Sequence, residues 1–322
     1  MADFIYQLLL TFDATLRIAT PLIFCAMAGI FAERSGVIDI SLEGKLLSGA
    51  FVAAAVAALT GSAWLGLGCA ILASVAMSLI HGFACITHKG NQVISGVAIN
   101  ILASGLTVVI GITLFRRGGQ TPTLPREARF KPVEWVGVDT LDAVPILGVI
   151  YRQLISGHNV LVYLTLLAVP LTAFIIYRTR FGLRLRAVGE VPEAVDSAGV
   201  SVTWLRYRAL MIGGVLCGIG GAYLSVAQGG NFVRDMSAGK GYIALAAVIF
   251  GNWKPLAAFL ACLMFGFLEA ATSRLQGVDL PLIGEVPTQL MLALPYVLTV
   301  LLLAGFIGRP SPPAAIGQPY HK

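Results

Sequence analysis

The chain has 322 residues, of which 57% are hydrophobic and only 12% charged, and its mean hydropathy is +0.85. A soluble domain carries roughly 25% charged residues, so this composition excludes an ordinary water-soluble globule and makes lipid the solvent for most of the chain. The formal charge of +6 and the pI near 9.2 do not argue for nucleic acid. So few charges in total fit loop residues that set membrane orientation better.

A bilayer core about 30 Å thick needs roughly 20 apolar residues per helix. Applied along the chain, that rule predicts one all-α, polytopic membrane domain over residues 1–322. About nine spans are expected, near 12–32, 43–60, 63–86, 91–115, 159–178, 207–228, 240–251, 255–273 and 287–307. The seventh is short and ends at "GNWKP", which predicts a half-helix or an interrupted one. No Lys or Arg precedes Arg17, so a cleaved signal peptide is not expected and the first span is retained. Glycine pairs at 213–214, 220–221 and 229–230 allow close helix contact in lipid, where apolar burial alone does not drive association. The five cysteines lie in apolar runs without a CxxC pair and read as small buried hydrophobes.

Orientation follows from the charged loops. Arg178, Arg180, Arg184, Arg186, Arg206 and Arg208 cluster between the fifth and sixth spans, which predicts a cytoplasmic loop at 179–206. Counting outward gives an external N-terminus, an extracytoplasmic loop at 116–158 and a cytoplasmic C-terminus. Within the arginine-rich loop, "VPEAVDSAG" (191–199) reads as a short helix. Pro192 suits its first position, Glu193 the positive end of the dipole, and Gly199 the left-handed stop. A two-turn helix is not stable alone in water, so it needs a surface, either its own bundle or a separate protein.

Catalytic chemistry is hard to find. No GxxxxGK[ST] phosphate loop occurs, and "SAGKGY" lacks both the upstream glycine and the hydroxyl residue. His81, His88, His158 and His321 make no metal-ligand spacing with each other or with cysteine. The chain therefore reads as a non-enzyme without a cofactor or metal of its own. Polar residues inside apolar spans are better pointers, because a charge at mid-membrane costs on the order of 3 kcal/mol. Asp39, Ser41 and Glu43 stand in "IDISLEG", where Gly36 and Gly44 permit a helix break of the kind that lines a solute cavity. A solvated loop end is the other reading of these acids. Asn91, Gln92 and Asn100 open the fourth span, either to hydrogen-bond a ribose or base or to tie helix to helix. Gln228 and Asn231 are expected at the external mouth, and Glu269 and Arg274 at the outer end of the eighth span. "GLGCAILASVAMSLIHGF" (66–83) and "PLAAFLACLMFGFLEA" (255–270) share a small-residue rhythm in opposite directions, a weak inverted repeat.

The stretch "RTRFGLRLRAVGEVPEAVDSAGVSV" (178–202) resembles the cytoplasmic loop of bacterial ABC importer permeases of the ribose, branched-chain amino acid and nucleoside group. "ERSGVIDISLEGKLLSGAF" (33–51) is similar to that group's first interrupted helix, and residues 220–270 to its C-terminal core. The wording of "IDISLEG" and "GKGYIALAAVIFG" looks closest to the nucleoside and simple-sugar branch. Sugar permeases of the group usually carry one more helix before the first span. This chain is expected to lack it, which agrees with an external N-terminus.

The resemblance implies a type II-like permease fold in the bacterial plasma membrane, with ATP and magnesium bound by a separate ATPase subunit. It also implies a second permease, of different sequence or a copy of this chain, and an extracytoplasmic solute-binding protein. Arg184, Arg186, Glu190 and Glu193 would make polar contacts to the ATPase, with Pro192 opening the coupling helix and Ala194 and Gly199 at a close-packed seat. The solute would be a nucleoside, or a simple sugar. Two other classes stay open on the residues alone: an ion-driven transporter using Asp39 and Glu43, and a membrane enzyme acting on lipids.

Overall fold

Short polar residues write the helix starts of this chain. Asn91 Oδ1 accepts from the amides of Val93 and Ile94 (2.9 and 3.1 Å), and Asn159 Oδ1 from those of Leu161 and Val162 (3.1 and 3.2 Å). Thr179 and Ser201 do the same for Gly182 and Trp204. Each cap satisfies amides that the first turn of a helix leaves without partners.

The computed structural model describes residues 2–133, 156–275 and 311–321, with isolated positions between 279 and 297. In chain order the helices are α1 (Ala2–Arg34), α2 (Leu42–Thr60), α3 (Ala63–Gly82), α4 (Gln92–Phe115), α5 (Val160–Arg178), α6 (Arg180–Glu190), α7 (Pro192–Ser197), α8 (Val202–Ala222), α9 (Lys240–Phe250) and α10 (Pro255–Leu275). Helices α3 and α8 run on into π-helical turns at Phe83–Thr87 and Tyr223–Gly229. A two-residue antiparallel ribbon, Asp279–Leu280 against Gly284–Glu285, and an isolated bridge between Pro132 and Asn159 are the β-structure among the described residues.

Seven of the described helices are long and apolar enough to cross a bilayer, and α9 is a shorter apolar one. They correspond to the first eight predicted spans. The ninth, 287–307, lies outside the described residues except for two positions. Several boundaries move, the first helix already beginning at Ala2 rather than near 12. The sixth helix begins at Val202 rather than near 207, because Ser201 caps it. Most of the predicted 179–206 loop is helical as well. In "RFGLRLRAVGE", Gly182, Leu185, Val188 and Gly189 are buried while Leu183, Arg184, Ala187 and Glu190 are exposed, the pattern of an amphipathic surface helix.

Helices α1, α2 and α8 form the centre, with 72–78% of their apolar windows buried, against 28–39% for α3, α4, α5 and α10. The centre closes tightly because α8 offers glycine to its neighbours. A Cβ on Gly221 would lie 2.5 Å from the Leu46 carbonyl oxygen of α2, and one on Gly218 2.6 Å from the Ile71 Cα of α3. Only hydrogen fits, and the backbones approach accordingly.

Candidate functional site

Residues 35–41, between α1 and α2, leave helical geometry inside the bundle. Their backbone groups must then find partners from elsewhere. Gln92 Oε1 accepts from the Ile38 amide at 2.6 Å, and Asn100 Nδ2 donates to the Ile40 carbonyl at 3.0 Å. Asn100 Oδ1 also accepts from the Gly44 amide at 2.8 Å. The Ile38 carbonyl lies 3.0 Å from His81 Nε2, and His81 Nδ1 lies 3.1 Å from Ser95 Oγ. A carbonyl only accepts, so in the neutral ring the proton sits on Nε2 and Ser95 donates to Nδ1. Side chains of α3 and α4 thus replace the hydrogen bonds that the break gives up.

The break also carries charge. Asp39 and Lys45 are both fully buried, with Lys45 Nζ 2.5 Å from Asp39 Oδ2, and Ser41 Oγ donates to Asp39 Oδ1 at 2.5 Å. Such a pair adds little net stability over an apolar pair, yet losing one member strands the other charge without water.

A second broken element meets the first. Beyond the π-turn of α8 the chain doubles back through residues 230–239 before α9 begins. On that return Asp235 Oδ1 accepts from Ser104 Oγ at 2.8 Å, and Tyr242 accepts from Asn100 Nδ2 at 2.8 Å. Ser104 lies halfway along the 24-residue α4, so α9 starts deep in the bundle. Its 11 residues span only about 16 Å, half of a bilayer core. The Glu43 carboxylate sits at that start, accepting from Ser237 Oγ (2.6 Å), the Gly239 amide (2.8 Å) and the Gly241 amide (2.7 Å). An anion placed there meets the positive end of the helix dipole and the unpaired amides of its first turn. At the other end of α9 the Trp253 indole donates to Glu33, and Arg34 Nε donates to the Trp253 carbonyl.

Of the residues that the sequence marked for a solute path, Asp39, Ser41, Glu43, Gln92 and Asn100 come together at this double break. Asn91 does not join them, since it caps α4 at the helix end and is exposed. Gln228 lies at the far end of the bundle, lining a cavity of about 680 Å³ with Arg17, Arg126, Arg129, Lys131 and Tyr223. Asn231 is half-buried three residues further on. Glu269 pairs with Lys240 Nζ at 2.8 Å. Sequence reasoning missed Lys45, Ser237, Tyr242 and Asp235, and gave His81 no role beyond an absent metal spacing. Lys45 alone carried a usable signal, as a lone cation inside an apolar span.

The arginine-rich end presents α6 and α7 as a surface knob. Val188, Val195, Val202 and Leu205 form a small apolar cluster beneath it, with Tyr320 packed alongside. Pro192 is buried in the first turn of α7, and Gly199 takes the left-handed geometry (φ +76°) that ends it. Arg184, Glu193, Ala194 and Gly199 are exposed, around a shallow, mainly apolar depression that includes Leu183, Ala187 and Val191. Two predicted contact residues also make contacts within their own subunit, although Glu190 is exposed and lines the depression. Arg186 stacks over the Tyr177 ring at 5.3 Å, and Glu190 accepts from the Ala314 amide at 3.2 Å. Residues 311–321 run across this end, with the Ala315 amide on the Gly189 carbonyl and the Gly317 amide on that of Gly36. Arg206, 1% exposed, ties the Ser35 and Gln318 carbonyls together.

A bundle of apolar helices, broken at its centre around buried charge and carrying an exposed helical knob at one end, is the architecture of a membrane permease. The comparison of sequences makes this particular: the chain belongs to the family described as "branched-chain amino acid transport system / permease component", whose model matches residues 11–303. It is 39% identical to the guanosine ABC transporter permease protein NupQ of Bacillus subtilis, over 99% of both chains. It is 34% identical to the nucleoside ABC transporter permease protein NupC of Lactococcus lactis, over 94% of each. A putative glucose ABC transporter permease protein, TsgC13 of Haloferax volcanii, is also 34% identical, over 96% of this chain and 97% of its own. This chain is thus the permease subunit of an ABC importer, a transport protein rather than an enzyme.

Proposed function

We propose that this permease carries nucleosides inward across the bacterial plasma membrane, driven by an ATPase subunit that docks on α6 and α7. The knob is the observation that carries the reading. It combines an exposed apolar depression, a charged rim and a helix pinned by Pro192 and Gly199, the features of a small helix that seats in another protein's groove. With the arginine-rich end in the cytoplasm, the N-terminus lies outside and the tail 311–321 inside. The basic cavity around Arg126 and Arg129 then faces the solute-binding protein. A second permease, of different sequence or a copy of this chain, pairs with it in the membrane. ATP and magnesium belong to the ATPase, which closes, pushes on α7 and switches the double break between outward- and inward-facing states. Identity to the guanosine and nucleoside permeases supports the solute class, and the similarity to TsgC13 makes a simple sugar the alternative.

The test is a cysteine at Ala194. The native cysteines are buried, apart from half-buried Cys69, so a thiol crosslinker in intact cells should join Ala194→Cys to the ATPase. Uptake of labelled guanosine should be strong with the wild-type subunit and be outcompeted by other nucleosides but not by glucose. A position 194 reachable only from outside the cell, or uptake blocked by glucose alone, would overturn the corresponding half of the reading.

A further inference from the structure

Tyr242 and Asp235 raise a problem that the double break does not answer. Both are bonded to one face of α4, through Asn100 and Ser104, which stand one turn apart. That places them near mid-membrane, yet Tyr242 is 46% exposed, and the Asp235 and Arg234 side chains are 54% and 66% exposed. Lipid cannot cover a carboxylate and a guanidinium at that depth at tolerable cost, so these groups turn to water or to the second permease rather than to lipid. Apolar side chains of α4, Val97 and Ile101 among them, flank the patch.

The hydrogen-bond inventory says what the patch offers. Both N–H groups of Asn100 are committed, to Ile40 and to Tyr242, and its oxygen accepts from Gly44. It therefore orients Tyr242 and has no donor left for a solute. The Tyr242 oxygen accepts from Asn100, which leaves its proton for an acceptor elsewhere, and its ring for stacking. Asp235 takes one bond from Ser104 and a 3.4 Å contact from Arg234, and an ionised carboxylate has room for further donors. One aromatic face with a donor and one carboxylate, bonded to positions of α4 one helical turn apart, match a planar heterocycle joined to a polyol.

We propose that Tyr242 and Asp235 form a solute subsite, with Tyr242 stacking on the nucleobase and Asp235 accepting from the ribose 2′- and 3′-hydroxyls. The subsite rests on the nucleoside reading above and names the residues that would recognise that solute.

The experiment measures uptake of guanosine and of 2′,3′-dideoxyguanosine by the complete transporter in cells, with the amount of permease in the membrane quantified for each variant. In the wild type, guanosine should be carried faster. Asp235→Asn should slow guanosine about tenfold and bring the two rates close together, because the missing hydroxyls no longer matter. Tyr242→Leu should slow both solutes alike and leave their ratio unchanged. If Asp235→Asn does not reach the membrane, Tyr242→Phe carries the test, with a loss of several-fold for both solutes. Wild-type guanosine uptake with unchanged rates and ratio in the variants overturns the subsite alone. A binding protein that sets the discrimination by itself gives that same unchanged ratio. No guanosine uptake by the wild type overturns the nucleoside reading, and the subsite with it.

Discussion

The double break and the α6–α7 knob are both polar interruptions in an apolar chain, yet they are held by opposite means. At the break, each charge is answered by a specific partner: fully buried Asp39 by Lys45, and half-buried Glu43 by the amides that open α9. At the knob Arg184, Glu190 and Glu193 are exposed, and four apolar residues underneath do the holding. A buried polar group loses its water and must be repaid atom by atom, whereas an exposed one keeps its water and contributes little to stability. Stability should therefore reside in the polar residues of the break, and transport alone in those of the knob.

Substitutions ranked by their effect on folding should separate the two regions. Asp39→Asn leaves the Lys45 ammonium buried without its counter-charge, at a cost of about 3–5 kcal/mol. Size-exclusion chromatography of detergent-solubilised protein should show loss of the monodisperse peak, and adding Lys45→Met should restore it. A peak unchanged by Asp39→Asn would mean that the pair is wet. Glu43→Ala, which strips three hydrogen bonds from the start of α9, should lower stability by about 2–3 kcal/mol, read as an earlier thermal transition. Asn91→Ala removes only a helix cap and should cost about 1 kcal/mol, with uptake retained in proportion to folded protein. If uptake fell much further than folding, Asn91 would be a solute contact after all. Glu193→Lys comes last, with an expected change within about 0.5 kcal/mol. It should nevertheless abolish uptake by reversing a charge on the docking rim, and normal transport by this variant would remove the knob from the mechanism.

The same contrast explains what could be read without a structure. The first eight spans were legible because hydropathy and length are properties of contiguous residues. The α7 helix was legible because Pro192 and Gly199 act on their own backbone. At the break, Asp39, Glu43, Gln92 and Asn100 announced themselves as polar groups in apolar runs, but which group each one meets was not announced. Arg186 shows the limit at the knob. Its place in an arginine cluster suggested an outward contact, and only packing turned it onto Tyr177.

By itself, then, the sequence determined where lipid is the solvent and where helices start and stop, since each depends on neighbours a few positions apart. The tertiary structure decided that Glu43 closes the start of α9 from 197 positions upstream of Lys240. It also decided that Asn100 and Ser104 hold Tyr242 and Asp235 at mid-membrane. Desolvation inside a bundle obliges every polar atom to find a partner, and the partner is whichever group the fold brings within about 3 Å, at any distance along the chain.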